Sequence, residues 1–401
     1  MTKPLSIGIC GCGIGGLTAG ILLARQGHDI TLFDQFSSPA PVGSGLVIQP
    51  VGKAVLNTIG ILENLQAKAA PLRRLTGHEV RRNRRVLNAS YGRRLGLGLH
   101  RATLFDALYK EILAAGCNIR QDSDVIDTGL TTAGRTILLR GKTDRPEFDL
   151  VIDATGAGSP LSPMHRRKLQ FGALWGTVDW PENTTLPRNQ LTQVYKGATH
   201  MIGALPVGSL PGSAGAKAAI FWSLPQGDYA RWQKTPLAVW KADVIALWPE
   251  FAPFLTQITD HSQMTMARYS HGRLSKPYGQ RIAHIGDAAH CTSPQLGQGA
   301  NMALLDAMAL SEALRHLPLQ AALTAYAASR AHHVRLYQML SWAFTPMYQS
   351  DNRLMPFLRD WLLAPATYIP PVPWILSRLI GGDLVPPISG LALEIPREIG
   401  Q

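Results

Sequence analysis

The sequence predicts an α/β fold in which a nucleotide-binding domain is interrupted by a domain of antiparallel strands. Apolar runs at 5–10 and 30–33 enclose a helical stretch that begins near Leu17, and together they form a strand–helix–strand unit. Strand-like segments broken by turns rich in glycine and proline occupy about 165–275. A strand at 281–285 and a helix of small apolar residues follow, so the nucleotide-binding domain is expected to resume there.

Further elements are predicted in chain order. They are a helix at about 104–115, strands at 118–120, 136–140 and 148–152 in the first layer, a helix at about 238–255 in the second domain and a helix at 301–314. Beyond residue 345 the composition shifts to proline, leucine and tryptophan.

The composition is that of a globular protein of enzyme size, with 401 residues of which 46% are hydrophobic and 16% charged. No segment reaches the roughly 18 consecutive apolar residues that a membrane helix needs, and the N-terminus lacks the regions of a signal peptide. We therefore expect a cytoplasmic protein. The four cysteines do not indicate a disulfide framework, and Cys10 and Cys12 have no second ligand pair nearby, so no metal site is expected.

The chain is basic, with 39 Lys and Arg against 27 Asp and Glu and a net charge of +12. Its densest basic segments, 81–85, 93–94 and 166–168, are not interleaved with aromatic residues, so no nucleic acid partner is expected. The excess charge fits solvated loops. Attraction of an anionic substrate or of an acidic membrane surface stays open.

A G-x-G-x-x-G pattern, Gly11-Cys12-Gly13-Ile14-Gly15-Gly16, stands where the first strand turns into a helix. Gly11 permits the tight turn, Gly13 lets the backbone approach a pyrophosphate, and Gly16 lets helix and strand pack closely. Asp34 follows the next strand and is positioned to accept hydrogen bonds from an adenosine ribose. The pattern predicts a dinucleotide site but does not separate FAD from NAD.

A second motif lies near residue 290. It runs from Gly286-Asp287 through Ser293-Pro294-Gln295-Leu296-Gly297-Gln298-Gly299-Ala300-Asn301 to Asp306. This run closely resembles the second flavin fingerprint of the FAD-dependent aromatic monooxygenases, the group A flavoprotein hydroxylases that include para-hydroxybenzoate hydroxylase. The resemblance covers about residues 5–345.

The resemblance implies an α/β protein with a Rossmann-like FAD-binding domain, an inserted antiparallel-sheet substrate domain and a C-terminal helical segment. The FAD-binding domain would take residues 1–70, 97–164 and 276–345, the substrate domain 71–96 and 165–275, and the C-terminal helical, proline-rich segment 346–401. Asp287 would hold a ribitol hydroxyl, and the helix opened by 297–301 would face the flavin's pyrimidine edge, where reduced flavin is negative.

The implied cofactor-binding residues come from both motifs and from segments that resemble the family's flavin loop and its pyrophosphate arginine. They are Gly11, Gly13, Gly15, Gly16, Asp34, Gly45, Arg101, Val125, Gly286, Asp287, Gly297, Gly299, Ala300 and Asn301. No catalytic side chain is identified. Pro294 and Gly297 are only loop positions that would flank the flavin.

The family's usual segment for both FAD and the visiting NAD(P)H departs from its pattern here. Thr155 stands where an acid is expected, and Gly158 stands where an arginine is expected. NAD(P)H is the reductant that the resemblance implies. A different hydride donor or a partner reductase stays open.

The implied reaction is hydroxylation of a small aromatic or heteroaromatic substrate by O2 through a C4a-hydroperoxyflavin, so no nucleophilic triad is expected. Aromatic and neighbouring residues at strand spacing are the candidates for the substrate wall, although alternation allows only about half of them to face the flavin. They are Trp175, Tyr195, His200, Met201, Phe221 and Trp222. His284 and His290 are expected to pack or to act indirectly.

Other functions are weighed against this one. A flavin-dependent halogenase would need a Trp-x-Trp-x-Ile-Pro segment, which the sequence lacks. A flavin-linked reductase or oxidase without oxygen insertion stays open, as does a peripheral membrane or interaction protein with structural FAD. The C-terminal apolar residues of interest are Trp361, Leu362, Leu363, Trp374, Ile375 and Leu379, beside Arg359 and Arg378. They fit membrane contact, packing across the domain junction, or a homodimer contact.

Overall fold

A computed structural model describes residues 3–38 and 43–397. The strands are β1 Ser6–Cys10, β2 Asp29–Phe33, β3 Gly45–Ile48, β4 Ala70–Leu72, β5 Arg74–Glu79, β6 Arg84–Ser90, β7 Gly96–His100, β8 Asn118–Arg120, β9 Val125–Leu130, β10 Arg135–Leu139, β11 Glu147–Phe148, β12 Leu150–Asp153, β13 Arg167–Asp179, β14 Gln190–Lys196, β15 His200–Gly208, β16 Lys217–Pro225, β17 Thr265–Arg273, β18 Tyr278–Gly279, β19 Ile282–His284 and β20 His290–Cys291. The α-helices are α1 Ile14–Ala24, α2 Pro50–Ile59, α3 Leu62–Lys68, α4 Arg101–Ala114, α5 Tyr229–Lys234, α6 Leu237–Leu247, α7 Ala252–Leu255, α8 Gly299–His316, α9 Leu319–Tyr348, α10 Leu354–Leu358, α11 Ala364–Ala366 and α12 Val372–Gly381.

A six-stranded sheet in the order β18-β19-β12-β1-β2-β8 forms the centre of the nucleotide-binding domain. Its inner pairs are parallel, and β18 alone runs antiparallel to its neighbour. The central strands are apolar on both faces, since Ile7, Ile9, Leu150 and Ile152 are fully buried, as expected for parallel strands covered on two sides. Helices α1 and α8 pack closely together. The carboxyl ends of these strands are therefore the edge where a nucleotide is expected.

The strands β9, β10 and β11 form a separate three-stranded antiparallel sheet. The prediction that 136–140 belongs to the first layer is therefore wrong. The small sheet lies against β1 at Gly8, where a Cβ atom would stand 2.6 Å from the Phe148 ring. A glycine in the central strand thus lets the second sheet approach.

An eight-stranded sheet in the order β20-β17-β13-β16-β15-β14-β5-β6 forms the second domain. Its pairs are antiparallel except for β14 and β5. One face carries Leu174, Ile202 and Trp222 into a core shared with α5, α6 and α7. The short strand β20, which follows the Gly286-Asp287 turn, pairs with β17 and joins this sheet to the nucleotide-binding domain.

The single helix predicted at about 238–255 is divided in two. Helix α6 ends at Leu247, and Pro249 begins a 3-10 turn before α7. A proline has no N–H to continue the helical hydrogen bonds and its ring clashes with the preceding turn, so the break at this residue has a steric cause.

The chain after α9 forms short helices and a turn of π-helix at Arg359–Leu363. They pack against α9 and the edge strand β6, which brings Ala364 and Ile380 into contact with the inner face of the eight-stranded sheet. None of the described helices is both long and apolar enough to cross a membrane.

Candidate cofactor and substrate site

The turn between β1 and α1 has the geometry of a phosphate-binding loop. Gly11 has φ +102°, and a Cβ atom there would stand 2.6 Å from the carbonyl oxygen of Ala154. A Cβ on Gly16 would lie 2.0 Å from the Gly11 carbonyl oxygen. At Gly13, by contrast, a Cβ would meet no protein atom within 4 Å. The turn is therefore closed by the protein on one side and open on the side where a phosphate would lie.

Asp34 supports this turn directly. Its Oδ2 accepts a hydrogen bond of 2.8 Å from the Cys12 N–H, and its Oδ1 accepts from the Phe36 N–H. The half-buried carboxylate keeps further acceptor capacity beside the turn, because each oxygen has a second lone pair. A ribose hydroxyl is the donor that this position would suit.

Asp287 follows β19 at the carboxyl edge of the six-stranded sheet and interacts electrostatically with Arg101, the first residue of α4. We call the region around these two side chains the cleft. Both side chains are solvent-accessible. Burial by surrounding protein nevertheless raises the pKa of Asp287, with His290 and Arg101 opposing, and lowers the pKa of Arg101, with Asp287 and Tyr269 opposing. Because Asp287 and Arg101 are reached by solvent but are also surrounded by protein that disfavours their charged forms, we place them in the wall of a recess and not on the outer surface.

Helix α8 directs its free N-terminus at the same cleft. Gly297 is left-handed with φ +61°, and Gln298 at the N-cap makes no side-chain cap hydrogen bond. A Cβ atom on Gly299 would meet nothing within 4 Å. The first N–H groups of α8 therefore present partial positive charge to an open region.

Gly15, Gly45, Val125 and Asn301, which are among the predicted cofactor-binding residues, have close protein neighbours. A Cβ on Gly15 would touch the Ala303 side chain at 3.4 Å, and one on Gly45 would lie 2.5 Å from the Ala219 Cβ. Val125 is buried in the core beneath the small sheet. Asn301 is fully buried, accepts from the Gln49 N–H at 2.8 Å and donates to the carbonyls of Val47 and Gly297. These residues shape the cleft, and Asn301 fixes the α8 turn to β3.

The inner face of the eight-stranded sheet bears Trp175 and Phe221, whose ring centroids are 4.6 Å apart. The Trp175 Nε1–H donates to the Tyr269 hydroxyl oxygen at 2.8 Å. Burial raises the pKa of Tyr269 to about 12, with Trp175 and Arg101 opposing. Tyr269 is thus hydrogen-bonded to Trp175 and interacts electrostatically with Arg101, which associates these aromatic residues with the cleft. Tyr269 gave no sequence signal, because one strand tyrosine resembles any other.

The six predicted substrate residues divide between the two faces of the sheet. His200 and Trp222 lie on the opposite face, where their rings are 5.2 Å apart and Trp222 packs against Trp240. We therefore remove both from the substrate wall. Met201 and Tyr195 share the inner face with Phe221, and all three are buried. Tyr195 packs against Tyr348 and Arg359.

Two buried carboxylates, Asp153 and Asp306, form hydrogen bonds with histidines near the carboxyl edge of the six-stranded sheet. Asp153 accepts from His284 Nδ1 at 2.8 Å and from the Ser159 hydroxyl at 2.7 Å. Asp306 accepts from His290 Nε2 at 2.6 Å and from the backbone N–H of the turn residue Gly286 at 2.8 Å. His284 and His290 therefore act on the cleft indirectly.

Arg330 and His333 extend the Asp306 cluster from helix α9. Arg330 Nε donates to Asp306 at 2.7 Å, and its Nη1–H lies 3.2 Å from His333 Nδ1. Burial alone would raise the pKa of Asp306, but His290 and Arg330 overcome it and lower this pKa to about 2. The loop that carries Asp287 thus rests on an ionised carboxylate.

The turn at 155–159, which departs from the family pattern, is contacted by the guanidinium of Arg166. The Thr155 hydroxyl donates to Asp153 at 2.6 Å and is directed inward. Arg166 Nη2 donates to the Ser159 carbonyl at 2.8 Å, and Nη1 donates to the Ala157 carbonyl. Within the described part of the chain its Nε is buried without a hydrogen-bond partner. Arg166 therefore lies against the turn in which position 158 is a glycine.

The cleft fits FAD on observations of its own. Gly13 and Gly299 leave room for a ligand at two separate places, and Arg101 and Asp287 supply a cation and an acceptor. Among the described residues, Ser44 Oγ and Gln298 Oε1 are buried polar atoms without a partner. A flavin nucleotide offers phosphates, hydroxyls and a polar ring edge to such groups.

The sequence model of the FAD binding domain family matches residues 5–340. The chain belongs to this family of FAD-dependent aromatic hydroxylases. The monooxygenase is 27% identical over 350 residues to a putative 2-heptyl-3-hydroxy-4(1H)-quinolone synthase of Rhodococcus erythropolis, covering 83% of this chain and 86% of that protein. It is 26% identical over 366 residues to kynurenine 3-monooxygenase of Salinispora arenicola, covering 84% and 78%.

The fold of the monooxygenase matches that of Klebsiella pneumoniae HpxO, solved with FAD and uric acid. The TM-score is 0.79 at 20% identity, and the match covers 95% of this chain and 98% of that one. The predicted family, the α/β fold class and the FAD cofactor are confirmed. The individual site residues and the domain boundaries stay predictions. The described residues contain no cluster of His, Cys, Asp or Glu that could hold a metal ion.

Proposed function

We propose that this flavoprotein hydroxylates a small, oxygen-substituted aromatic or heteroaromatic compound at the face of its inserted sheet. The observation that carries the proposal is the hydrogen bond from Trp175 to Tyr269 together with the electrostatic interactions of Arg101 with Tyr269 and Asp287. It joins an aromatic wall to a cleft suited to FAD. The relatives named for a quinolone and for kynurenine support an aromatic substrate.

The chain's own groups divide the work at the cofactor. Gly11 and Gly13 would admit the pyrophosphate, Arg101 would neutralise it, and Asp287 would accept from the ribitol chain. The N-terminus of α8 would stabilise negative charge on the flavin ring. Bound FAD supplies the electron transfer and oxygen activation that these side chains cannot perform.

Tyr269 is the residue that we assign to substrate recognition. Because its oxygen already accepts from Trp175, its own proton is free to donate to an oxygen of the substrate. The raised pKa, about 12, keeps this hydroxyl neutral and donating at physiological pH. Trp175, which is half-buried and packs against Phe221, would hold the aromatic ring by stacking.

NAD(P)H is the usual reductant in this family, and Arg166 supports its use here. Arg166 supplies the positive charge that Gly158 lacks, at the turn where the family binds the reductant. We propose that Arg166 contacts a phosphate of NAD(P)H, for which a guanidinium is well suited.

The deciding experiment follows NADH and NADPH consumption by the FAD-loaded protein across phenols, quinolones and heteroaromatic acids, with 18O2 as the oxidant. Label in the product supports oxygen insertion. Consumption that yields only hydrogen peroxide or a dehydrogenated product would favour the oxidase or reductase function instead.

The Tyr269→Phe variant tests the assigned recognition residue. We expect about tenfold weaker substrate binding, since one hydrogen bond to a substrate oxygen is lost, with FAD binding unchanged. Tyr278→Phe is the matched control, because that hydroxyl bonds Thr324 outside the cleft. Equal substrate affinity in the two variants would contradict the assignment.

We retain two further proposals from the sequence. One is a cytoplasmic location. Homodimerisation likewise rests on the sequence alone, and sedimentation velocity of the FAD-loaded protein would test it.

A further inference from the structure

The C-terminal segment presents a dense set of large apolar side chains to solvent. We call this set the tail surface. It consists of Leu354, Phe357, Trp361, Leu362, Leu363, Tyr368, Ile369, Trp374 and Ile375. Scattered exposed hydrophobic residues are normal, but nine within 22 positions of one segment are not, and such concentrations mark interaction sites.

The π-helical turn buries its charged side chains and exposes its apolar ones, which is the opposite of an ordinary surface helix. Arg359 and Asp360 are only 1% exposed, whereas the next two residues, Trp361 and Leu362, are 52% and 64% exposed. Arg359 donates to the carbonyls of Gly197 and Met347, so the charged side chain fastens the turn to the protein. A fold that buries an ion pair and exposes tryptophan and leucine is adapted to an apolar partner.

Cations surround the tail surface. Arg84 lies 4.2 Å from the Trp361 ring centroid, Arg82 lies 5.8 Å from that of Phe357, and Arg378 lies 5.6 Å from that of Trp374. Arg353 is also exposed. The only carboxylate between residues 353 and 382 is the buried Asp360. Arg82 pairs with Asp360 at 3.0 Å and Arg378 pairs with Asp383, so the positive charge that remains at this surface is that of Arg84 and Arg353.

We propose that the tail surface docks on an anionic lipid bilayer. Tryptophan and tyrosine prefer the interface between headgroups and acyl chains, leucine and isoleucine insert below it, and arginines attract acidic headgroups. The segment lies on the membrane rather than crossing it, because none of the described helices could span one.

A second copy of the chain fits this surface less well. In a symmetric dimer the same patch would face itself, which would bring Arg84 and Arg353 of both copies together, and residues 353–382 offer no exposed carboxylate to pair with them. A bilayer containing phosphatidylserine supplies the missing negative charge.

The test measures cosedimentation of the full-length, FAD-loaded protein with vesicles. We expect binding to vesicles of phosphatidylcholine mixed with phosphatidylserine, weaker binding to phosphatidylcholine alone, and release by salt. The triple variant Trp361→Ser, Leu362→Ser, Trp374→Ser should bind at least about tenfold more weakly, because it loses three inserting side chains. Arg84→Gln with Arg353→Gln should weaken binding about fivefold per arginine.

The matched control replaces three hydrophobic residues that are exposed elsewhere, Leu113→Ser, Leu130→Ser and Val239→Ser. It should bind vesicles like the wild type. Point variants are preferable to truncation, since Ala364 and Leu379 of the same segment are buried in the core. Flavin absorbance of each variant confirms that the fold is retained.

Two outcomes would overturn the proposal. One is a wild-type protein that stays in the supernatant with phosphatidylserine vesicles. The other is equal sedimentation of the triple variant and the wild type. If the wild type is instead dimeric by sedimentation velocity and the triple variant monomeric, the tail surface binds a second copy and the membrane proposal fails.

Discussion

Arg166 shows how a single side chain can replace an expected one from a different position. The turn at 156–159 has no arginine of its own, yet the Arg166 guanidinium contacts two of its carbonyl groups. Position in the sequence therefore did not reveal the cation, because the contact depends on how the chain after the turn folds back.

The Arg166→Gln variant should raise KM for NAD(P)H about tenfold while kcat stays close to the wild-type value, since a contact made equally in the ground and transition states contributes only to binding. Steady-state kinetics with varied NAD(P)H measures this. Arg167→Gln is the control, because Arg167 is an exposed neighbour on β13. Unchanged KM in Arg166→Gln would place the reductant elsewhere.

His333 makes stability depend on pH. Burial, and then Arg330, lowers the pKa of His333 from 6.5 to about 3. Below pH 6.5 the His333 imidazole is protonated in the unfolded chain, whereas in the folded chain it stays neutral down to about pH 3. Its contribution to the free energy of unfolding is therefore fully present above pH 6.5 and decreases as the pH falls from 6.5 towards 3. Between pH 6.5 and 5 the loss is about 2 kcal/mol.

Denaturant unfolding of the wild type and of His333→Gln between pH 7 and 5 checks this expectation. The variant should lose less free energy of unfolding over the window, because glutamine does not titrate. His316→Gln, at an exposed histidine paired with Glu312, should behave like the wild type. Parallel pH curves for all three proteins would exclude His333 as the source.

At the scale of elements, glycine motifs and strand runs were predictable, whereas partners distant in sequence were not. The Gly11–Gly16 turn and the Gly286-Asp287 turn carry their signal in residue type, since only glycine fits the observed close approaches. Strand β10 has the same apolar pattern as β1, so the pattern could not assign it to a separate sheet. The Asp306 cluster likewise depends on α9 lying beside α8.

Strand β3 contacts the eight-stranded sheet through Gly45. A side chain there would lie 2.5 Å from Ala219 and 2.6 Å from Val207, so it would push the strand away from the sheet. We expect Gly45→Ala to lower the free energy of unfolding by about 1–3 kcal/mol and to weaken FAD binding. Denaturant unfolding and flavin titration measure both effects.

Gly227→Ala is the control for the strand contact, because a Cβ atom at Gly227 would meet nothing within 4 Å. It should match the wild type in stability and FAD affinity. Equal stability of the two variants would mean that β3 can shift without cost.

For the whole molecule, the pairing of β17 with β20 and the contact of β3 with the sheet couple the two domains. FAD at a hundred times its Kd should therefore stabilise both, by about 2.7 kcal/mol. Six of the nine tryptophans belong to the sheet domain, so their fluorescence reports its unfolding. A tryptophan transition that FAD does not shift would show that the domains unfold independently.

The two motifs that form the cofactor cleft lie far apart in the sequence, so they are synthesised at different times. Gly13 leaves the ribosome early, but Asp287 and the start of α8 emerge only after about three quarters of the 401 residues. By the time Gly299 is added, every strand of the large sheet has been translated. The cofactor site is therefore incomplete during most of translation, and FAD is expected to bind at a late stage of synthesis or after it.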